Sequence, residues 1–298
     1  MIIERYKTLA TEQSNHHSKT LDLMNPLAIV RLMNQEDRQV VRAVQRESAS
    51  IAKVIGLIAN AFKQDKHLIF IGAGTSGRLG VLEAAECPPT FNSPFDQVQG
   101  IMAGGPSAVF HSKEGAEDRE KDGRKAVAAI ASEGDIVIGV AASGVTPFVR
   151  AGLFEARKKK AKAVLVTCNP HPSKDLLLDA CIALSVGPEV LAGSTRLKSG
   201  TACKMVLNML TTGAFARSGK VYGPWMVDLK PSSKKLVARA LHLIEHLGHV
   251  DSKEAKRLFK VAKGHVKTAV LMAQKKCSFR EAQERLKSKG PFLREALK

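Results

Sequence analysis

Apolar positions recur along this chain at two different spacings. Over "PLAIVRLMNQED" (26–37) and "VVRAVQRESASIAKVIGLIANAF" (40–62) they return every three or four residues, the helix period. The first sixty residues therefore read as helical. From residue 67 the pattern changes to short, nearly continuous apolar runs: "HLIFI" (67–71), "QVQGIMA" (97–103), "DIVIGVA" (135–141), "AKAVLVTC" (161–168) and "CIALSV" (181–186). Helical stretches separate the earlier runs. Strands alternating with helices predict βαβ units and a mostly parallel sheet. Strands without polar alternation predict helices on both faces. The expected fold is α/β, a three-layer αβα sandwich.

"GTACKMVLNMLTTGAFARSGK" (200–220) reads as one long buried helix. "VYGPWMVDLKPSS" (221–233) interrupts it with a glycine and two prolines. Four shorter helical patterns follow, several opened by Ser or Asp and closed by Gly. Three regions are expected: an N-terminal helical segment (1–60) packing on the main domain, the sheet domain (61–229), and a small all-helical C-terminal unit (230–298).

Composition narrows the class of function. The 44% hydrophobic and 25% charged content suits a globular domain. No stretch approaches the roughly 18 apolar residues of a membrane span. "MIIERYKTLATEQ" carries charges where a secretory signal needs an apolar run, so the cytoplasm is expected. The five cysteines form no C-x-x-C pair, which speaks against a zinc site or a disulfide framework. Net charge is +18, and residues 230–298 hold 18 Lys/Arg against 6 Asp/Glu. These cations are spread along helices with few aromatics and no RNA-binding signature, so a solvated basic face is expected and nucleic acid is not an expected partner.

Three loops are rich in small hydroxyl residues: "GAGTSGR" (72–78), "ASGVTP" (142–147) and "LAGSTRLKSGTA" (191–202). The first two directly follow strands. Ligands of open α/β sheets bind outside the carboxyl ends of the strands. Gly74 and Gly77 allow close backbone approach, and Thr75, Ser76, Ser143 and Thr146 supply hydroxyls beside Gly144. Helix N-termini with short hydroxyls make a phosphate cradle. For a single loop, helix capping would be the simpler reading. Three such loops favour a phosphosugar pocket.

The first loop also contains G-x-G-x-x-G, but the dinucleotide fingerprint needs a carboxylate at the end of the second strand. After "QVQGIMA" come Gly104, Gly105 and Pro106. G-K-[ST] is missing, which removes the P-loop reading too. A dinucleotide cofactor is therefore not expected.

Among the acids, Glu86 precedes Cys87-Pro88-Pro89, a pair of prolines expected to stop the helix after the first loop. Glu117 lies in "HSKEGAEDREKDGR" among Glu114, Asp118, Glu120 and Asp122, and spacing alone does not choose between them. Glu189 sits just before the third loop. Arg196 and Lys198, with Ser194, could meet a phosphate or carboxylate.

"TEQSN" (11–15), "LMNQED" (32–37), "GAGTSGRLGVLEAAECPPTF" (72–91), "AGG" (103–105), "EGAED" (114–118), "AASGVTPFV" (141–149), "GPEVLAGSTRLKSGTA" (187–202) and "VLNMLTTGAFARSGKVYGPWMVD" (206–228) occur in this order. In these the chain resembles the N-acetylmuramic acid 6-phosphate etherases, a family within the sugar isomerase (SIS) fold group. The resemblance implies a SIS sheet domain, a homodimer, and cleavage of a D-lactyl ether from a sugar phosphate without a cofactor. It implies Glu86 as proton donor and Glu117 as base at carbon 2. The phosphosugar would be held by Gly74, Thr75, Ser76, Gly77, Ser143, Gly144, Thr146, Glu189, Ser194, Arg196 and Lys198. Val145 stands where the family pattern has Arg or another polar residue, and Ala85 where Ser is common. A related non-catalytic group, typified by the glucokinase regulatory protein, leaves a second reading: a sugar-phosphate sensor that controls a partner.

Overall fold

The computed structural model describes residues 9–172 and 175–298. It divides into two compact units. The first comprises the chain up to Ala84 together with Val98–Thr211; the second comprises Ala85–Gln97 and Thr212–Lys298.

The first unit opens with three short 3-10 turns at Ala10–Glu12, His16–Ser18 and Leu21–Leu23, then helices α1 (Pro26–Arg46) and α2 (Ser48–Phe62). Asn25 caps α1 by accepting the Ala28 N–H, and Pro26 takes the first helical position, where no N–H partner is needed. The five expected strands all form: β1 (Leu68–Gly72), β2 (Val98–Met102), β3 (Ile136–Val140), β4 (Lys162–Thr167) and β5 (Ala180–Ala183). They make one parallel sheet of order β2-β1-β3-β4-β5. Leu68 is level with both Val98 and Ile136, which fixes the register across its centre.

The sheet carries helices on both faces. On one, α4 (Glu120–Ile130) and α5 (Pro147–Lys158) bury Val127, Phe148, Val149 and Leu153 against Ile69, Ile71, Val137 and Leu165. On the other, α3 (Gly74–Phe91) comes so close that a Cβ on its Gly80 would lie 2.8 Å from the Phe70 Cβ. Every residue of β1 and β3 is buried. Double coverage is why these strands read as unbroken apolar runs.

Helix α3 departs from expectation. It continues through Pro88 and Pro89 to Phe91 instead of stopping before them. The carbonyls that lose their donors belong to Ala84 and Ala85, at the half-exposed and exposed surface, where water can serve them. Cys87 and Phe91 are buried, and Phe91 stacks on Phe215 with centroids 4.4 Å apart. That packing holds the last turn in place.

The second unit is built on helices α7 (Lys234–Gly248), α8 (Ser252–Val261), α9 (Val266–Lys275), α10 (Phe279–Ser288) and α11 (Leu293–Leu297), with the end of α6 (Lys198–Arg217) leading in. Leu243, Ile244, Leu258, Val266, Val270 and Leu293 form its core. Ser233, Asp251 and Ser278 cap three of its helices, the last through a full capping box with Glu281. Val227 and Leu229 lie in the same core, and Arg294 stacks over Tyr222 at 4.9 Å. The glycine- and proline-bearing stretch thus packs with the C-terminal helices rather than ending the sheet domain. Among the described residues no helix is long and apolar enough to cross a membrane.

Candidate functional site

Order β2-β1-β3-β4-β5 reverses direction between β1 and β3. A crevice opens at the carboxyl ends of such strands. The first loop turns there. A Cβ on Gly77 would fall 2.5 Å from the Gly72 carbonyl oxygen and from Met102 Sδ, so no larger residue fits between strand and helix. The tight turn leaves Thr75 and Ser76 in the first turn of α3, beside amides without intrahelical acceptors.

A cavity of about 250 Å³ lies at this point. Gly74, Thr75, Ser76, Arg78, Lys113, Glu114, Glu117 and Thr195 are among its walls. Arg78 donates from Nε to the Val109 carbonyl (2.8 Å) and from Nη2 to that of Ala108 (2.9 Å), which holds the Pro106–Val109 turn against the first loop. Lys113 Nζ donates to the Gly104 carbonyl at 2.8 Å. The Glu117 carbonyl accepts the Phe148 N–H at 2.9 Å, so this residue is fastened to the start of α5. The cavity therefore pairs two hydroxyls at a helix N-terminus with two carboxylates and two cations, a set able to hold a phosphate ester and move a proton.

Of the residues expected from sequence, Gly74, Thr75, Ser76 and Glu117 meet in this cavity; Gly77, Ser143, Gly144, Thr146, Glu189, Ser194, Arg196 and Lys198 do not line it. Ser143, Gly144 and Thr146 end β3 in the neighbouring loop. There Ser143 Oγ accepts the Val145 N–H, and its carbonyl accepts from Asn169 Nδ2 (3.2 Å). Val145 is buried. Glu86 is exposed on α3 and belongs to the second unit.

Glu189 and Lys198 have other commitments. The fully buried Glu189 carboxylate accepts the backbone N–H groups of Lys198 and Ser199, both at 2.9 Å, and so caps α6. Lys198 is 1% exposed, and its Nζ lies 2.5 Å from Glu36 Oε2. Asn15 Nδ2 donates to that same oxygen at 2.7 Å, and His17 Nδ1 lies 2.8 Å from Oε1. Burial alone would push the Glu36 carboxyl up, but the hydrogen bonds from Lys198, His17 and Asn15 together hold it below its ordinary range.

Thr195, Arg78 and Lys113 were not among the expected walls, and Glu114, which spacing left open beside Glu117, lines the cavity with it. Sequence reasoning also missed Glu83, a buried carboxylate bonded to Thr211 and, at 2.5 Å, to Asn208 Nδ2. Thr195 lay one position from the chosen Ser194. Only the backbone path decides which hydroxyl turns inward. Among the described residues no group of three or more His, Cys, Asp or Glu could hold a metal. No carboxylate follows β2, where a dinucleotide ribose would need one.

Sheet order, paired loops and cavity define a SIS-domain protein of the three-layer αβα class. The SIS domain model matches residues 116–213, and the model of the glucokinase regulatory protein N-terminal SIS domain matches residues 50–157. Full-length relatives are more specific. The N-acetylmuramic acid 6-phosphate etherase of Geobacillus thermodenitrificans (strain NG80-2) is 46% identical over 97% of this chain and 98% of its own. That of Geobacillus sp. (strain WCH70) is 44% identical over the same shares, and that of Salinibacter ruber (strain DSM 13855 / M31) is 44% identical over 99% and 96%. The chain belongs to the N-acetylmuramic acid 6-phosphate etherase family.

Proposed function

We propose that the protein is a carbon–oxygen lyase that cleaves the D-lactyl ether of N-acetylmuramic acid 6-phosphate. The products are D-lactate and N-acetylglucosamine 6-phosphate, and the role is recycling of cell-wall amino sugar. The observation that carries this reading is the cavity that has Thr75, Ser76 and a carboxylate, Glu117, among its walls, in a chain 46% identical to a named etherase over 97% of its length.

In this reading the phosphate is the handle. It rests on the amides and hydroxyls that open α3, where Gly77 allows the tight turn; Ser143, Gly144, Thr146, Ser194 and Arg196, outside the cavity wall, are proposed to support it from the adjoining loops. Its binding energy orients carbons 2 and 3. With the ring open, the carbon 1 aldehyde acidifies the proton on carbon 2. Glu117 takes that proton; the electron pair forms the carbon 2–carbon 3 double bond, and the carbon 3–oxygen bond breaks. Glu86, which is not among the walls of this cavity, is proposed as the group that protonates the departing lactate oxygen. Water then adds across the alkene, oxygen to carbon 3, so the sum is hydrolysis of the ether. Each positioned proton transfer contributes roughly 10²–10⁴-fold. The reaction needs no metal or redox cofactor. The location proposed is the cytoplasm, and the assembly proposed is a homodimer.

The test is incubation with N-acetylmuramic acid 6-phosphate and an enzymatic assay for D-lactate. In ¹⁸O-labelled water the label should enter carbon 3 of the sugar; label in the lactate would refute elimination. The match of residues 50–157 to a regulatory protein's SIS domain favours a second reading, a sugar-phosphate sensor. Tight binding of the sugar phosphate with no lactate released would select it.

A further inference from the structure

Two stretches singled out in the sequence take no part in the cavity: "TEQSN" and "LMNQED". The structure brings them together. Thr11 (2% exposed) and Asn15 (5%) are buried although they belong to a short irregular segment, and Glu36 is 1% exposed. Asn15 Nδ2 donates to the Pro188 carbonyl at 3.2 Å as well as to Glu36. The Thr11 carbonyl accepts the Gly193 N–H at 2.8 Å. The stretch 187–197, which runs into the third loop, is thus held at Pro188 and Gly193 by the N-terminal segment. Where it enters α6 it is held by the Lys198–Glu36 pair.

Thr195 lies between the last two attachments, with its N–H on the Gly193 carbonyl at 3.0 Å. Of this loop only Thr195 lines the cavity, among the described residues. A Cβ on Gly200 would lie 3.4 Å from the Thr195 carbonyl oxygen and 3.5 Å from Thr75 Cγ2, so the start of α6, Thr195 and the first loop are in close register. A buried ion pair is weak as a source of stability, since two apolar side chains of the same volume serve as well or better. What it supplies here is direction: Lys198 can satisfy its charge only with α6 and the third loop in one position.

We propose that Asn15, Glu36 and Lys198 are positioning residues for the sugar-phosphate ligand, a clamp that fixes loop 187–197 so that Thr195 joins Thr75 and Ser76 in the cavity wall. The proposal rests on the reading of that cavity as the phosphosugar site. It is tested by binding, so that it does not depend on turnover.

The experiment is a double-mutant cycle on the Kd of N-acetylglucosamine 6-phosphate, measured by titration calorimetry on the full chain. Asn15→Ala and Thr195→Val should each weaken binding about ten-fold. Their combination should weaken it little further, because a released loop no longer presents Thr195. Gln13→Ala, exposed in the same segment and outside the clamp, should bind as the wild type does. In turnover, Asn15→Ala should raise KM with kcat within about three-fold. If Asn15→Ala does not fold, Asn15→Ser is carried through the same cycle with the same expectation. Binding by the Asn15 variant within two-fold of wild type overturns the clamp. So does a double variant whose loss is the product of the two single losses, about 100-fold, or a Gln13 variant as weak as the Asn15 one. A wild type that binds the sugar phosphate but releases no lactate would end the etherase reading and leave the clamp standing. An active wild type with an additive cycle would end the clamp alone.

Discussion

Replacing Lys198 by methionine separates two roles for that side chain. If its ammonium is committed to Glu36, as the 2.5 Å contact and 1% exposure indicate, the substitution strands a carboxylate in the interior. Breaking a buried pair from one side costs about 3–5 kcal/mol. Asn15 and His17 still reach the Glu36 oxygens, so the lower end, about 3 kcal/mol, is expected. For a domain of this size that is a fall in Tm of about 6–12 °C, read by circular dichroism at pH 7.5. The double variant Glu36→Leu/Lys198→Met removes both charges and should regain most of the loss. The deficit of the single variant should also shrink as the pH is lowered, because protonation of Glu36 relieves the unpaired charge. A Lys198→Met protein that melts within about 2 °C of the wild type while its ligand affinity collapses would refute this reasoning and return Lys198 to a direct ligand role.

Glu117→Gln should lower D-lactate release by roughly 10²–10⁴-fold with sugar-phosphate binding retained; near-normal turnover would remove it as the base, and the same measurement on Glu86→Gln tests the proton donor. Gly193 has φ +77°, and its added Cβ would sit 3.1 Å from Glu12 Oε2, so Gly193→Ala should cost about 1–2 kcal/mol in thermal unfolding; a neutral effect would mean the third loop is not held as described. The Glu36 carboxyl binds its proton less readily folded than unfolded, so its contribution to stability is present above pH ~4.5 and is lost as pH falls through the lower folded value. Urea midpoints from pH 6 to 3 should therefore drop less steeply for Glu36→Gln than for wild type, and parallel curves would sink the assignment. Burial, followed by the nearby Glu47 charge, pushes the Cys181 thiol up to about 11, so iodoacetamide at pH 8 should label it far more slowly than free cysteine; equal rates would contradict it.

Much of the fold was legible in the chain. All five strands appear where the apolar runs placed them, and the central β1 and β3, buried at every residue, have no polar alternation to blur them. Ser233, Asp251 and Ser278 cap helices where the sequence put them, since a cap is a contact within three residues. Elsewhere distant groups override local preference. Pro88 and Pro89 did not end α3, since the buried Cys87 and Phe91 hold the turn around them.

Period and turn chemistry are local, so the sequence by itself determined the strand and helix pattern, the parallel class of the sheet and the hydroxyl-rich loops at its carboxyl edge. Only the tertiary structure decided the rest. It set Glu117 beside Thr75 and Ser76, turned Thr195 rather than Ser194 into the cavity, and gave Glu189 to a helix cap. It also joined Lys198 to Glu36 across 162 positions of chain. A charge 162 residues away leaves no trace in a local pattern. Which side chain meets it depends on the path of the whole backbone.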